Sequence, residues 1–481
     1  MEIEQVTPRK HRLPAPRFGE IGTVAVRQTP EEDTRTEHAP EITVGLKREE
    51  DTGDERFSPM IPSSLEEAGI SESSIEQLIL KNLYFRGEVL GRDLAKIIGV
   101  PFSLIEPTVN HLKQERLIEC KRSSGLGSVS SHFANTEAGR TRAKECLDLN
   151  KHLGPAPVPL QQYQKGVEAQ RIKAGWMSKD RLEKAFEGAV VSDDFFGQFG
   201  PAVNSFKSML IYGKPGNGKT YLAEQLARIE SDGVYVPYYI ESDGQIIKVF
   251  DPLYHEKIDV AEENIFVSAD PEYDQRWAKC KRPFLTTGGE LTMGMLDLMY
   301  VEGAKIYDAP YQLKANNGIY LVDDFGRQQV TPAELLNRWI YPLDRGVDYL
   351  SFQTGTKIEV PFECFLVFSS NLNPDDLGDE AFLRRLDYKM FMTNPPPDEF
   401  ATIFREFCHK SDLECPEPLV KHTLHEHYEK TGRKMRRCHP RDVIGVAIDL
   451  IRYEKHPYRL THDLIDRAFK LKFVTRKYSD E

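Results

Sequence analysis

A glycine-rich segment between two apolar stretches constrains the fold of this chain more than any other feature of the sequence. Residues 213–220, GKPGNGKT, follow the apolar stretch Met209–Tyr212 and precede an amphipathic stretch, Tyr221–Ile229. This order predicts a buried strand, a tight loop and a helix, which is an α/β arrangement. The three glycines let the backbone N–H groups of the loop turn toward a phosphate, and the helix N-terminus adds partial positive charge.

The residues of this loop have distinct expected roles. Lys219 is expected to reach the β- and γ-phosphates of a nucleotide, and the Thr220 hydroxyl to complete the shell of a Mg²⁺ ion. The residues predicted here to contact the nucleotide are Gly213, Lys214, Pro215, Gly216, Asn217, Gly218, Lys219, Thr220 and Tyr221.

Two later apolar stretches end in polar residues. Ile319–Val322 is followed by Asp323 and Asp324, and Cys364–Phe368 is followed shortly by Asn371. The carboxyl ends of parallel strands meet at one edge of a sheet, which is where a phosphate loop lies. We therefore expect Asp323 to hold Mg²⁺ through water, Asp324 to orient an attacking water, and Asn371 to reach the γ-phosphate.

Three arginines complete the set of candidate site residues. Arg384 and Arg385 follow a short predicted helix in DEAFLRRLDYKMFM, although surface arginines are most often merely solvated. Arg441 lies at the start of a long amphipathic helix in HPRDVIGVAIDLIRYE, with Pro440 in the first turn.

The order of these motifs resembles that of the AAA+ ATPases. The matching segments are Walker A (GKPGNGKT), Walker B (IYLVDD), sensor 1 (Asn371), an arginine-finger region (LRRL) and sensor 2 (HPRD), and the resemblance covers residues 192–475. A predicted hairpin, DYLSFQTGTKIEVPFE, and the run KANNGIYLVDDFG are similar to the clade of MoxR-type chaperones, bacterial enhancer-binding ATPases and magnesium chelatase subunits. The resemblance implies an α/β P-loop NTPase core with a C-terminal helical lid.

The resemblance also implies cofactors, partners and roles for the arginines. It implies ATP and Mg²⁺ as cofactors and a homo-oligomeric ring, usually a hexamer. Arg384 or Arg385 would reach the γ-phosphate bound by a neighbouring subunit, and Arg385 better matches the family position. Arg441 would contact the nucleotide of its own subunit. Asp324 stands where the family usually has Glu, and its shorter side chain predicts slow hydrolysis.

The remaining sequence divides into further regions by composition and periodicity. Helical spacing from Ile75 to Leu83, two further helices and a two-stranded segment (RLIECKR, SHFANT) predict an N-terminal winged helix. The predicted regions are a disordered tail (1–60, with a strand at Ile42–Leu46 as the alternative), the winged helix (61–150), a Pro-rich and charged helical linker (151–191), the nucleotide-binding α/β domain (192–394) and the helical lid (395–481).

An insertion is expected between the two Walker motifs. Their separation requires extra structure within residues 231–315, beginning with a β-hairpin that turns at Asp243-Gly244. Thr287–Glu290 could form a pore-facing loop that grips a client or serve as structural padding, and padding is slightly favoured.

Charge and residue counts limit the partners and the compartment. The net charge is −12, and residues 71–150 carry 11 Lys or Arg against 10 Asp or Glu, so a protein-docking winged helix is favoured over one that binds DNA. Basic residues around the wing could still form a DNA-binding face: Lys121, Arg122, Arg140, Arg142 and Lys144. Seven scattered cysteines, no signal-peptide core and no apolar run long enough for a membrane span predict a cytoplasmic protein.

Histidines in the C-terminal region are not expected to bind a metal. They are His409, His422, His425 and His427, and the last two are only two residues apart on a helix, so they do not share a face.

Together the sequence predicts an ATPase that remodels a protein partner, in the manner of a chaperone. The first alternative is a nucleic-acid-directed ATPase of transcription, replication or transposition that uses the winged helix on DNA. The second is a weakly hydrolysing nucleotide switch that binds its partner in the ATP state.

Overall fold

The computed structural model describes residues 57–473, apart from residues 124, 126, 174, 230–232, 259–270 and 378–379. Residues 1–56 of the predicted tail, and with them the alternative strand Ile42–Leu46, lie outside the described residues.

The last residues of the predicted tail pack on the folded chain. The Phe57 ring lies edge-on to Trp277, with centroids 6.2 Å apart. The Pro59 carbonyl accepts a hydrogen bond from the Asp274 backbone N–H at 2.9 Å. The packed structure therefore includes part of the segment that composition alone assigned to the tail.

Residues 65–149 form a module of helices and a small antiparallel sheet, called here the N-terminal module. In chain order its elements are α1 (Leu65–Ala68), α2 (Glu72–Arg86), β1 (Glu88–Leu90), α3 (Gly91–Ile98), α4 (Phe102–Gln114), β2 (Ile118–Ser123), β3 (Ser131–Asn135) and α5 (Glu137–Leu149). Strand β3 is central, with β1 and β2 antiparallel on either side. Helix α2 begins after Ser71, whose hydroxyl accepts from the Ser74 N–H, and buries its apolar face against α4 and α5. The predicted helices and hairpin of this region are confirmed.

The middle of the chain is rich in strands. In chain order its elements are β4 (Val158–Pro159), α6 (Leu160–Ala169), α7 (Lys179–Ala185), α8 (Asp193–Ser205), β5 (Ser208–Tyr212), α9 (Lys219–Glu224), β6 (Val234–Pro237), β7 (Tyr239–Ser242), β8 (Gln245–Lys248), β9 (Trp277–Cys280), β10 (Phe284–Thr287), β11 (Met299–Val301), β12 (Ile306–Asp308), α10 (Tyr311–Lys314), β13 (Ile319–Val322), α11 (Pro332–Arg345), β14 (Val347–Ser351), β15 (Lys357–Pro361), β16 (Phe365–Ser370), α12 (Pro374–Leu377), α13 (Glu380–Leu383) and β17 (Tyr388–Phe391).

Five of these strands form a parallel sheet in the order β10-β13-β16-β5-β17. Helices α8 and α9 pack on one face and α11 on the other, so the sheet is buried on both sides. All four residues of β13 are buried, and full burial of an apolar side chain contributes roughly 1.5–3 kcal/mol. In the register, Val322 pairs with Phe368 and Ser370 with Tyr212, which brings the ends of β13, β16 and β5 to one edge. The α/β class with a parallel sheet is confirmed.

A second sheet has the order β11-β12-β8-β7-β4, and most of its strands come from the predicted insertion, residues 231–315. Strands β7 and β8 form the predicted hairpin, and Asp243 and Gly244 have φ values of 50° and 74°, as a tight two-residue turn requires. The predicted hairpin with a polar glycine turn, β14–β15, is also present, with Gly355 in the turn.

The segment Thr287–Glu290 begins inside the parallel sheet. Thr287 is the last residue of β10 and lies in the parallel sheet beside Val322. Its carbonyl accepts from the Asp323 N–H at 2.8 Å. The segment thus begins at the edge of the sheet where the site residues meet, and its role as a pore-facing loop or as padding stays a prediction.

Part of the predicted Pro-rich and charged helical linker, 151–191, packs against the core of the folded chain. Tyr163 and Val167 of α6 are buried in the core under the second sheet. The Tyr163 hydroxyl accepts from Asn316 Nδ2 at 2.8 Å and lies 3.4 Å from the Leu313 carbonyl. The helical part of the prediction is confirmed, and the burial follows from tertiary contacts that charge content does not reveal.

The C-terminal region is helical, as predicted. Its elements are α14 (Pro397–Lys410), α15 (Glu417–Leu424), a π-helical turn (His425–Glu429), α16 (His439–Glu454) and α17 (His462–Lys472), called here the C-terminal bundle. Their apolar faces form one core that includes Phe400, Phe404 and Phe469. Among the described residues, none of the helices combines the length and apolar character needed to cross a membrane.

Candidate nucleotide-binding site

The glycine-rich loop connects β5 to α9 at the carboxyl edge of the parallel sheet. Gly213 has a φ of 143°, and a Cβ there would lie 2.5 Å from the Met392 carbonyl. Gly216 has a φ of 81°, and a Cβ there would lie 2.7 Å from Cys438 Sγ. Because glycine has no side chain, the loop backbone can approach the Met392 carbonyl and Cys438 Sγ closely at these two positions.

Lys219 lies under this loop with its ammonium group turned toward the sheet edge. Its Nζ donates to Asn371 Oδ1 at 2.7 Å, to the Gly213 carbonyl at 3.0 Å and to the Lys214 carbonyl at 3.2 Å. Burial lowers the pKa of Lys219, while the carboxylates of Asp324 and Asp323 oppose that shift. The side chain is 6% exposed, so its charge is directed into the site and not into bulk water.

Thr220 and Asp323 form a pair of oxygen donors beside the lysine. The Thr220 hydroxyl donates to Asp323 Oδ1 at 2.8 Å and lies 3.0 Å from Oδ2. A hydroxyl and a carboxylate are oxygen ligands of the kind that Mg²⁺ prefers, and Mg²⁺ commonly takes its other ligands from water and phosphate. These two residues therefore fit the predicted magnesium site.

Asp324 is held in an unusual backbone conformation at the end of β13. Its φ is 46°, in the left-handed region that Asp tolerates better than most residues. Asn371 Nδ2 donates to Asp324 Oδ1 at 2.8 Å, so the amide of Asn371 joins the carboxylate to Lys219. The turn is fastened to β16, because the Phe325 N–H donates to the Ser369 carbonyl at 2.7 Å. The Asp324 carboxylate is thereby fixed relative to the loop.

These residues enclose a cavity of about 250 Å³. Its lining combines the loop, the ends of two strands and the C-terminal bundle: Pro215, Gly216, Gly218, Lys219, Thr220, Tyr221, Asp324, Ser369, Asn371, Cys438 and Arg441. Most of the predicted site residues are thus brought together, including Arg441, which is distant in sequence.

The predicted site residues outside this lining are Gly213, Lys214, Asn217, Asp323, Arg384 and Arg385, and the side chains of three of them have other partners or surroundings. The Asn217 side chain is fully buried beneath the loop, where its Nδ2 donates to Asn394 Oδ1 at 3.0 Å. Arg385 Nε donates to Asp344 Oδ2 at 2.8 Å, and Arg384 is exposed. Neither arginine lines the cavity within its own chain.

The C-terminal bundle contacts the loop through residues that sequence reasoning missed. The Cys438 N–H donates to the Gly216 carbonyl at 2.9 Å, and Arg436 donates to the Pro215 carbonyl. The only sequence signal for these contacts is position, because KMRRC directly precedes the HPRD motif.

A second cavity of about 350 Å³ adjoins the first, and its lining is mostly apolar. Gly218, Tyr221, Cys438 and Arg441 line both cavities. The rest of the lining comes from the segment before α8, from α9 and α14, and from the segment before α16: Gly188, Ala189, Val190, Leu222, Ile403, Glu406, Phe407, Lys410 and Arg437. Ile403 and Phe407 belong to no sequence motif that would connect them to a ligand.

Comparison with known proteins gives one family match and several distant structural likenesses. A family described as a domain of unknown function (DUF8689) matches residues 396–471, and no curated protein matches the chain. A mutant of RuvB from Thermotoga maritima is 11% identical, with a TM-score of 0.33, over 64% of this chain and 74% of that one. NtrX from Brucella abortus is 12% identical, with a TM-score of 0.35, over 69% and 62%. The Thermotoga maritima RuvB Holliday junction branch migration motor is 14% identical, with a TM-score of 0.30, over 63% and 72%. Because all three TM-scores are low, none of these structures supports an argument about this chain.

Proposed function

We propose that this chain is an ATPase of the AAA+ kind that binds ATP with Mg²⁺ and hydrolyses it. The observation that carries the proposal is the continuous hydrogen-bonded line from Lys219 through Asn371 to Asp324 at the edge of the parallel sheet. Transfer of a phosphoryl group to water needs charge neutralisation, a positioned nucleophile and fixed geometry. An ammonium, a carboxylate and an amide that joins them supply these three requirements.

The proposed mechanism assigns a task to each of these side chains. Lys219 exchanges its bonds to the loop carbonyls for bonds to phosphate oxygens, where an ammonium group stabilises the developing charge. Asp324 accepts a hydrogen bond from water and orients it for in-line attack. Mg²⁺, held by Thr220 and Asp323, would neutralise charge on the β- and γ-phosphate oxygens.

The adjoining apolar cavity supports a nucleotide over a simple polyphosphate. Ala189, Val190 and Phe407 give it an apolar wall, and it meets the phosphate cavity at Tyr221. A flat, largely apolar ring system with a charged chain matches this pair of cavities. We propose that the nucleobase occupies the second cavity.

A protein partner is favoured over duplex DNA for the proposed winged helix. Basic residues near the wing are ion-paired within the module: Lys121 with Glu119, Arg122 with Glu88, Arg140 with Glu137, and Arg142 with Glu145 and Glu76. Duplex binding depends on basic groups that can displace counterions from phosphates. Local acids compete for these groups, so we propose that the module docks a protein and that the ATPase remodels that client, as a chaperone does.

The module is also bonded to the segment that leads into β9. Arg276 forms a buried ion pair with Asp274, 2.7 Å between Nη2 and Oδ2, and its Nη1 donates to the Ala68 carbonyl at 2.7 Å. Removing one partner of a buried pair commonly costs about 3–5 kcal/mol. The ion pair holds the Arg276 guanidinium in place, and its bond to Ala68 would position a partner bound to the module relative to the segment before β9.

Ring assembly, usually as a hexamer, is part of the proposal. In a ring, an exposed arginine of one subunit can approach the nucleotide of the next. Because Asp344 already binds Arg385, we propose the exposed Arg384 as the arginine that completes a neighbour's site, in contrast to the family position.

The nucleotide switch remains the second candidate function, and Asp324 favours it. Its carboxylate is one methylene shorter than the usual Glu and is bonded to Asn371, which predicts slow hydrolysis. For either function we propose a cytoplasmic location, since all seven cysteines are unpaired thiols.

The Lys219→Ala variant tests the assignment of the site. We expect loss of ATP binding, measured by displacement of a fluorescent ATP analogue. Lys357→Ala, an exposed lysine on β15, is the matched control and should bind as the wild type does. Unchanged affinity in Lys219→Ala would refute the site, whereas binding without phosphate release by the wild type would favour the switch.

A further inference from the structure

Three side chains with metal-binding chemistry converge in the C-terminal bundle, away from the nucleotide cavity. His422 Nε2 lies 2.8 Å and His427 Nε2 lies 2.7 Å from the same atom, Asp466 Oδ1. The ligating atoms of the three residues all lie within 4.8 Å of one another. His422 lies in the last turn of α15, His427 lies in the π-helical turn that follows, and Asp466 lies on α17. The cluster therefore links α15 and the π-helical turn to α17.

The π-helical turn explains how two histidines five residues apart share a face. In a regular α-helix, residues i and i+5 are separated by about 140° around the axis. The turn His425–Glu429 widens the helix locally, and such turns occur frequently at functional sites. His425 and His427 are two residues apart in the sequence, whereas the pair that meets at Asp466 is His422 with His427.

Ring stacking fixes the orientation of both imidazoles. The His427 ring lies parallel to Phe469, with centroids 3.8 Å apart and planes at 1°. The His422 ring stacks on His462 at 4.3 Å and 12°. Both Nε2 atoms are therefore aimed at the carboxylate before any ligand arrives, which lowers the cost of forming a site.

We propose that His422, His427 and Asp466 form a binding site for a divalent transition-metal ion. The expected ion is zinc, and it would link α15 to α17. Zinc is bound in proteins by imidazole nitrogen and carboxylate oxygen, commonly with three protein ligands and one water. The Asp466 side chain is 36% exposed, which leaves the fourth position open to water.

Binding requires a small rearrangement that the cluster permits. Tetrahedral ligands about 2.0–2.1 Å from zinc lie roughly 3.3 Å apart, so side-chain rotations of this cluster are sufficient. Each imidazole now donates its Nε2 proton to the carboxylate, because an ionised carboxylate only accepts. Metal binding at Nε2 therefore places the remaining proton of each neutral ring on Nδ1.

The ligand set also separates this site from the magnesium site at the nucleotide. Imidazole suits zinc, copper, iron and nickel, whereas Mg²⁺ prefers oxygen ligands. The metal would link α15 to α17 within the C-terminal bundle, whose helix α16 carries Arg441. A metal here stabilises the bundle, and it would act without participating in phosphoryl transfer.

Metal binding by the full chain is the first test. After chelator treatment and removal of the chelator, Zn²⁺ binding is measured by equilibrium dialysis with elemental analysis, without Mg²⁺ or nucleotide. Co²⁺ is then titrated and its absorption spectrum recorded. We expect one tightly bound equivalent and a spectrum without thiolate charge-transfer bands. No bound metal, or a spectrum with those bands, would overturn the proposal.

Variants assign the site to these residues. His427→Gln and Asp466→Asn should each weaken Zn²⁺ binding by at least about 100-fold, since even second-shell partners are worth 10–100-fold. His425→Gln is the matched control, because its ring bonds to Glu429 outside the cluster and should leave affinity unchanged.

Retention of ATP binding and of the far-ultraviolet circular dichroism spectrum verifies that each variant folds, and His422→Gln replaces any variant that does not. Equal affinity in the variants and the control would show a hydrogen-bonded clamp and no metal site.

Discussion

Replacing Asn371 with alanine isolates the contribution of the amide that joins the lysine to the aspartate. Lys219 makes three hydrogen bonds, and only one of them involves Asn371, so the substitution removes a single bond of the lysine. One hydrogen bond is worth about 1 kcal/mol, and ATP affinity should therefore fall only about fivefold. Asp324, in contrast, loses the donor that holds its carboxylate.

The effect on turnover should be much larger than the effect on binding. Removing one preorganised donor from an active site typically costs about 10²–10³ in rate. We expect kcat for phosphate release to fall by that factor, while calorimetric Kd for ATP changes little. Asn373→Ala, an exposed asparagine two residues further on, is the control. A fall in kcat below tenfold, or equal losses in kcat and affinity, would refute the role given to Asn371.

Three further perturbations test separate parts of the structure. Arg384→Ala should abolish hydrolysis while sparing ATP binding, and mixing it with Asp324→Asn subunits should restore some activity; no recovery in mixed assemblies, or an effect confined to Arg385→Ala, would contradict the assignment. ATP should protect Cys438 from a maleimide, as read by peptide mass spectrometry, because its thiol lines both cavities; burial raises the pKa of this thiol, so labelling should also accelerate as pH rises. Burial lowers the pKa of Lys81 from 10.5 to about 8, so the folded state binds fewer protons than the unfolded state between these values. The stability of the wild type relative to Lys81→Met should therefore increase between pH 8 and pH 10 and stay level below pH 8, as measured by urea unfolding; a flat difference across the range would show that the lysine is not desolvated.

Features that depend on short stretches of sequence were predictable. The strand before the phosphate loop, the strand that ends at Asp323 and the hairpin at Asp243-Gly244 each follow from apolar runs and turn residues that are adjacent in the chain. The convergence of Lys219 and Asn371 was also predictable, because the carboxyl ends of parallel strands meet at one edge.

Features that depend on tertiary contacts were not predictable. Thr287 ends a strand of the parallel sheet that lies within residues 231–315. Because this region also contains strands of other sheets, the strand order cannot be read from the sequence. The position of Arg385 in the LRRL motif predicted that it reaches a neighbouring nucleotide. Its ion pair is formed with Asp344 of α11, which lies 41 residues earlier in the chain. The pairing of His422 with His427 depends on a π-helical turn, which periodicity analysis based on the α-helix does not detect.

The backbone bond from Cys438 to Gly216 has a consequence for how the protein can be divided. The phosphate loop offers carbonyl oxygens of Pro215 and Gly216 to residues that arrive more than two hundred positions later. A fragment that stops before residue 396 would retain every loop residue and yet leave both carbonyls to the solvent. Truncation at that boundary would therefore remove two hydrogen bonds that hold the loop in its conformation. An outward movement of the C-terminal bundle in the intact chain would break the same two bonds.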